Sequence, residues 1–487
     1  MRNWTLKQWL ATGLILTGLF LMTIFLVKGD IVLGFAVAIL PILLLFTIYV
    51  SSHPYRSLMC IFILNYFLMG IYRYVTIGSL GLIIDALLLL TILSALTHSV
   101  FIKDINWKRA KNAGVFLMMI WLLYCIFEIA NPTALTEAWI YAIRQAIYPF
   151  LIVLFTSVFF YRYRDFKTIV FLWSFFTILA VLKMQWQISV GFDNAEMRFL
   201  EEGDRKSLIF LSTGIRYFSF FTDPGNFGSN MGCAMVVFSL CAIYVKDVRL
   251  KIYYAVVAFL GMYGMFLSGT RGALAVPFAG YFLYTILTKN MKAFSLSSLI
   301  VIGAFLFFTQ TFIGQGNEHI RRMRSAFNPN EPSLVVRREH QKQLAVYLKD
   351  KPFGEGLGLS GISARRFAPD RLTTNIANDS WYVNIWVQTG IVGLVLYLAI
   401  QLFFVAFGVY IILFRIHDKE LKGYLSAVLS GLLGMMASSY GNSIFGQYPT
   451  AIIMAMVVAF LFLGKEYDQE IEISNIQTLN DGTNKLV

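Results

Sequence analysis

Residues 9–27, 31–50 and 383–414 are apolar runs without a single charged side chain, each long enough to cross a hydrocarbon layer, which takes about 20 residues of helix. Inside lipid every backbone N–H and C=O must find a partner within the protein, so only helices and closed barrels can span. No run shows the apolar/polar alternation of a barrel strand, and helix is what remains. The whole chain fits this reading: 58% of its 487 residues are hydrophobic, 14% are charged, and the mean hydropathy is +0.67. A soluble chain would carry roughly a quarter charged residues. The first run is too long for a signal-peptide core and no small-residue cleavage site follows it, so it reads as a retained span.

The pattern predicts an all-α, polytopic transmembrane bundle of about fourteen spans, near residues 9–27, 31–50, 57–74, 79–101, 113–130, 146–161, 167–189, 226–245, 251–268, 272–288, 295–313, 383–414, 421–441 and 449–464. Four parts follow: helices within 1–313, a long extracytoplasmic loop with short helices at 314–378, the last spans within 379–464, and a polar, disordered cytoplasmic tail at 465–487. With the N-terminus inside, the short loops at 51–56, 103–111, 161–167, 246–251, 289–292 and 415–422 lie inside and nearly all carry two or more basic residues. Those at 268–270 and 441–449 lie outside and carry almost none, as the positive-inside rule asks. Both termini are then cytoplasmic. The net charge of +13 reflects this loop bias and gives no reason to invoke nucleic acid. Cys60, Cys125, Cys233 and Cys241 sit in apolar runs without metal-ligand spacing and read as packing residues.

Two outside segments are longer, 191–225 and 314–378. The second carries eleven Lys and Arg against six Asp and Glu, which suits either anionic head groups or an anionic ligand. Within it, 333–350 is predicted helical, with Ser333 as cap, an apolar stripe of Leu334, Leu344, Tyr347 and Leu348, and a stop before Pro352. Arg337 and Gln341 share one face, Arg338 and Lys342 another. The turn Lys351-Pro-Phe-Gly-Glu-Gly-Leu-Gly-Leu-Ser-Gly361 is neither a Walker loop nor a dinucleotide fingerprint. It is expected to present backbone amides, which can hold an anion.

Charged groups at the rim of an apolar bundle carry the most information. Arg271, in a turn of almost no length between spans and flanked by small residues, is read as functional ahead of snorkelling. Arg216 precedes Asp223 and a span; an ion pair with Asp223 and contact with substrate both explain it. Asp379, before Ser380, Trp381 and Tyr382, suits a helix cap. His319 and His340 lack the Cys, Asp or Glu spacing of a metal site, so no metal or cofactor is expected. His340 as a general base has no partner in the sequence.

The order of these elements resembles the O-antigen ligase and Wzy-type polymerase superfamily over roughly residues 210–400. The carriers are Arg216 ahead of Thr222-Asp-Pro-Gly-Asn226, the turn Ser268-Gly-Thr-Arg-Gly-Ala273, and the basic helix from Arg337 into Pro352-Phe-Gly-Glu-Gly-Leu-Gly358. The last is Asn378-Asp-Ser-Trp-Tyr-Val-Asn-Ile-Trp-Val-Gln-Thr-Gly-Ile-Val-Gly393. Asp379 stands where ligases usually carry histidine, which favours a polymerase. The resemblance implies a metal-independent membrane glycosyltransferase of the bacterial inner membrane. Its donor would be an oligosaccharide on undecaprenyl pyrophosphate. Its acceptor would be a lipid-linked glycan (polymerase) or lipid A core (ligase), with membrane lipid around it and a chain-length regulator protein as candidate partner. In that scheme Arg216 and Arg271 hold the pyrophosphate, Arg337 and Arg338 close the loop over it, and Asp379 accepts a proton or orients the sugar. Asp223 joins the substrate contacts, while Trp381, Tyr382 and Phe367 offer ring faces to sugars or form an interfacial belt. A flippase or transporter is the reading from another class. Against it stand the lack of an internal repeat and unusual residues that lie at the rim rather than the midplane.

Overall fold

The computed structural model describes residues 6–27, 44–75, 81–202, 205–211, 214–288, 291–328 and 330–483. Its long helices are α1 Leu6–Val27, α2 Pro54–Tyr74, α3 Gly81–Thr97, α4 Ala113–Phe127, α5 Arg144–Phe159, α6 Tyr163–Ser189 and α7 Pro224–Tyr244. They continue as α8 Val248–Leu267, α9 Ala275–Leu287, α10 Met291–Gln310, α11 Pro332–Tyr347, α12 Trp381–Phe414, α13 Lys419–Ser438 and α14 Thr450–Thr483. Ten helices among the described residues are long and apolar enough to cross a membrane. The expected span at 31–50 lies mostly outside the described residues. Short elements fill the longer connections: helices Asn194–Glu201 and Glu318–Arg324, and a two-stranded antiparallel pair with Phe210 opposite Ile215.

The chain divides into two compact units, one of Met1–Leu64 with Ser79–Asn106, the other of Asn65–Gly78 with Trp107–Val487. The first packs Ser57 and Ser94 into its interior, where Ser94 donates to Ser51 O at 2.7 Å. In the second, α7, α13 and α14 bury 78%, 83% and 78% of their apolar windows, against 33% for α8 and α12. The first three are therefore the unit's core, and the other two turn much of their surface to lipid. Polar side chains tie the starts of α7 and α14 together: Asn230 donates to Thr450 Oγ1 at 2.8 Å, Thr450 to Asn226 Oδ1 at 2.7 Å, and Asn226 to Tyr448 O at 2.7 Å. Buried amides are costly unless paired, and here each start supplies partners for the other's side-chain N–H and O–H groups.

Three local expectations are corrected. The polar tail is not disordered from 465, because α14 runs on to Thr483. Tyr467 is fully buried and donates to Phe160 O at 2.6 Å, and Asp468 accepts from the amides of His417 and Asp418. Those contacts hold in place a segment that composition alone leaves free. The loop helix starts at Pro332 rather than at Ser333: Glu331 takes the capping position, its carboxylate accepting from Leu334 N at 3.3 Å, and proline suits the first helical residue. The long span, expected as one run at 383–414, is interrupted within it. Gly390 interrupts α12 with φ 64° and ψ −170°, a conformation essentially confined to glycine.

The glycine-rich turn explains that break. Glu355 N donates to Val387 O at 2.9 Å, Gly356 N to Gln388 O at 3.0 Å, and Gly358 N to the Gln388 side chain at 2.8 Å. The turn's amides are thus spent on the carbonyls that the interrupted helix leaves open, and are not presented to an anion as the sequence suggested. Tyr124 OH takes a third, Thr389 O, at 2.8 Å. Beneath the turn, the buried carboxylate of Glu355 receives Lys351 and Arg371, the latter at 2.9 Å.

Candidate functional site

Described residues of the segments 190–202, 205–211, 214–223, 268–271, 311–328, 330–380 and 439–449 meet at one end of the second unit. Tyr217 N donates to Leu267 O, Trp381 N to Ser439 O, and Thr222 bonds Gln447. Arg216 follows the second strand of the 210–215 pair, and its guanidinium spans the turn between α8 and α9. It donates to Ser268 O at 3.3 Å, to Thr270 Oγ1 at 2.9 Å and to Leu208 O at 3.2 Å. No ion pair with Asp223 forms. Asp223 instead caps α7, accepting from Asn226 N at 3.0 Å, the role that proline at the first helical turn prepares.

Arg271 opens a short 3-10 turn at the head of α9 and is held by an ion pair with Glu331 and a 3.2 Å hydrogen bond to Ser325. Arg337, on α11, grips Asp379 through two nitrogens, Nε at 2.9 Å and Nη2 at 2.8 Å, both on Oδ2. Asp379 is therefore not the cap of α12. Ser380, one residue on, performs that task by accepting from Val383 N, and the carboxylate is left for the arginine.

Sequence reasoning missed a fourth cation. Arg322, on helix Glu318–Arg324, donates to Gly269 O at 2.6 Å. Gly269 has φ 57° and is wedged between Arg216 and Arg322: a Cβ there would sit 3.3 Å from a side-chain carbon of each. The four arginines feel one another. Burial first, then the charges of Arg322, Arg271 and Arg337, push Arg216 down to about 10, with Asp223 opposing. Burial and Arg271 likewise lower Arg322. Like charges brought together in a half-buried place disfavour one another's charged form, a cost that the carboxylates of Glu331 and Asp379 offset at Arg271 and Arg337. Its support was also hidden: Arg73, buried near the end of α2, donates to Ser219 O and Phe221 O and faces Glu196 at 3.8 Å, fixing the segment just beyond Arg216.

The remaining expected residues scatter around this centre. Arg338 and Lys342 line a recess of about 530 Å³ together with Tyr382, Val383, Trp386 and Leu394. Tyr382 OH donates to Met436 O at 2.7 Å, and Trp381 is 6% exposed with its indole N–H on Tyr397 OH at 2.9 Å. Trp381 is therefore committed chiefly to packing. Phe367 lies against Tyr141 and under the guanidinium of Arg366, 4.6 Å from its ring centre. His340 makes no hydrogen bond among the described residues, and His319 stands beside Glu318 at 3.6 Å. Among the described residues no three His, Cys, Asp or Glu side chains gather as a metal site would require.

The site thus gathers four guanidiniums and two arginine-held carboxylates, Glu331 and Asp379, and fixed guanidiniums are groups suited to anions. Residues 254–398 match the Wzy_C family, described as O-antigen ligase, so this part of the chain is similar to that family, which supports the resemblance to the O-antigen ligase and Wzy-type superfamily. The match spans Arg271, Arg322, Arg337, Asp379 and Gly390. No curated protein and no solved structure matches the chain.

Proposed function

We propose that the chain polymerises O-antigen, capsular or exopolysaccharide repeat units at the outer face of the inner membrane. It would transfer a glycan from undecaprenyl pyrophosphate to a lipid-linked acceptor. The observation that carries this reading is the convergence of Arg216, Arg271, Arg322 and Arg337 beside Asp379. In the transfer, an acceptor hydroxyl oxygen bonds to the donor's anomeric carbon, and the bond from that carbon to the pyrophosphate oxygen breaks. The departing electron pair leaves on the pyrophosphate, and fixed guanidiniums are suited to that growing charge. Asp379, paired with Arg337, accepts the hydroxyl proton. The recess lined by Arg338 and Lys342 together with Tyr382, Val383, Trp386 and Leu394 suits the carrier's polyprenyl chain near its charged head.

The family description itself favours a second reading, transfer to lipid A core by a ligase. Arg271→Ala at equal membrane level, with the glycan ladder read by gel, tests both. Loss of long chains with single repeats still reaching the surface lipid is the polymerase outcome. Polymer accumulating on the carrier with no attached glycan is the ligase outcome. Intact long chains would overturn transfer at this site and leave a flippase.

A further inference from the structure

Beside Asp379 lies a cavity of about 370 Å³ whose walls include Gln145, Ser360, Ser363, Asn378, Asn384 and Ser443. We propose that it seats the terminal sugar of the acceptor glycan, as an uncharged, hydroxyl-rich ring; this rests on the transfer reading above and names the substrate class of its second half-site. Asp379 is the one charged residue among those lining the cavity, and no Lys or Arg is among them. A phosphate would find no cation there, and a lipid chain would leave amides and hydroxyls buried without partners. A sugar hydroxyl both donates and accepts, which is what amide and serine side chains require. The volume sits at the small end of ligand pockets, about 300–1,000 Å³, and suits the end of a glycan rather than a long stretch of it.

The walls are also held in place. Asn378 donates to Ser360 Oγ at 2.8 Å, Ser360 to Asn384 Oδ1 at 2.7 Å, and Asn384 to Ser443 Oγ at 2.8 Å. This neutral chain joins the glycine-rich turn, the start of α12 and the 439–449 connection. Gln145 and Ser363 make no hydrogen bond among the described residues, so their polar atoms are available to a ligand. Asp379 is shared by both halves: Arg337 ties it to the cation cluster, while it also walls the neutral cavity. An acceptor hydroxyl held in the cavity is thereby placed at a carboxylate that Arg337 also holds.

The test uses the full-length protein in lipid nanodiscs and two probes. One is the host strain's free repeat-unit oligosaccharide, released from its lipid by mild acid; the other is undecaprenyl pyrophosphate without sugar. Ser363→Trp fills the cavity from an exposed 3-10 turn and should weaken oligosaccharide binding about tenfold or more. Gln145→Leu should weaken it about five- to tenfold. Carrier binding should change less than about twofold in both, a difference of under half a kcal/mol. Oligosaccharide binding unchanged in Ser363→Trp, a parallel loss of both probes, or no oligosaccharide binding by the parent protein would overturn the proposal. Arg271→Ala separates the two readings: an intact ladder with oligosaccharide binding retained sinks transfer and spares the pocket. A lost ladder with cavity variants that bind normally does the reverse.

Discussion

Gly390→Ala should be among the most damaging single substitutions in the second unit. Its φ of 64° with ψ of −170° costs a residue with a Cβ about 1–3 kcal/mol. That Cβ would also run into Pro352 O, so the turn must move away from α12. Moving it gives up Glu355 N to Val387 O, Gly356 N to Gln388 O and Val392 N to Pro352 O, at 2.9, 3.0 and 3.3 Å, each contributing about 1 kcal/mol. The total is about 4–6 kcal/mol. Gly303→Ala on α10 is the control, because a Cβ there meets nothing within 4 Å and should be neutral or stabilise by up to about 1 kcal/mol. The assay is the thermal midpoint of full-length protein in detergent, followed by fluorescence-detected size exclusion. Coincident midpoints for the two variants would show that the turn does not depend on this close approach.

Four further outcomes are expected. Asp379→Asn should slow chain extension by about 10²–10⁴-fold at unchanged membrane level, measured as polymer formed per unit time; an unaltered rate removes Asp379 from the proton transfer. Arg322→Ala should weaken undecaprenyl pyrophosphate binding by about tenfold or more, whereas Arg321→Ala, whose side chain reaches only Gln315 O at 3.5 Å, should not. Because Arg216 is pushed down to about 10, its charge is complete through neutral pH and is lost as pH rises through about 10, so carrier binding should be flat below that pH and fall above it. Asp468→Ala removes the acceptor for His417 N, Asp418 N and His417 Nδ1 and should speed proteolysis within the polar end of α14; equal cleavage rates would show that this anchor is dispensable.

Hydropathy located the helices because lipid imposes a simple demand on long segments: stay apolar and satisfy the backbone internally. It could not see the break in α12, since a glycine in an apolar run has the same hydropathy whether its φ is negative or positive. Arg271 was legible because it interrupts an apolar stretch with a turn too short to hide it. Arg322 was not, lying among Arg321 and Arg324 in a basic loop where sequence does not say which one turns toward the bundle. Asp379 was misjudged as a cap because Ser380 beside it is equally competent, and only the reach of Arg337 decides between them. The tail was misjudged because charges on its surface outnumber the one buried tyrosine, Tyr467, that fixes it.

The pairing of Arg271 with Glu331 and of Arg337 with Asp379 has a consequence for how this protein should respond to ionic strength. An anion that reaches either arginine trades one carboxylate for another negative group, instead of releasing loosely held counterions as it would from a bare cationic patch. Its affinity is then a difference between two ion pairs, both screened over a Debye length of about 8 Å at physiological salt. Binding should therefore weaken with added salt less steeply than a tally of the four guanidiniums implies, with Arg216 and Arg322 setting most of the slope.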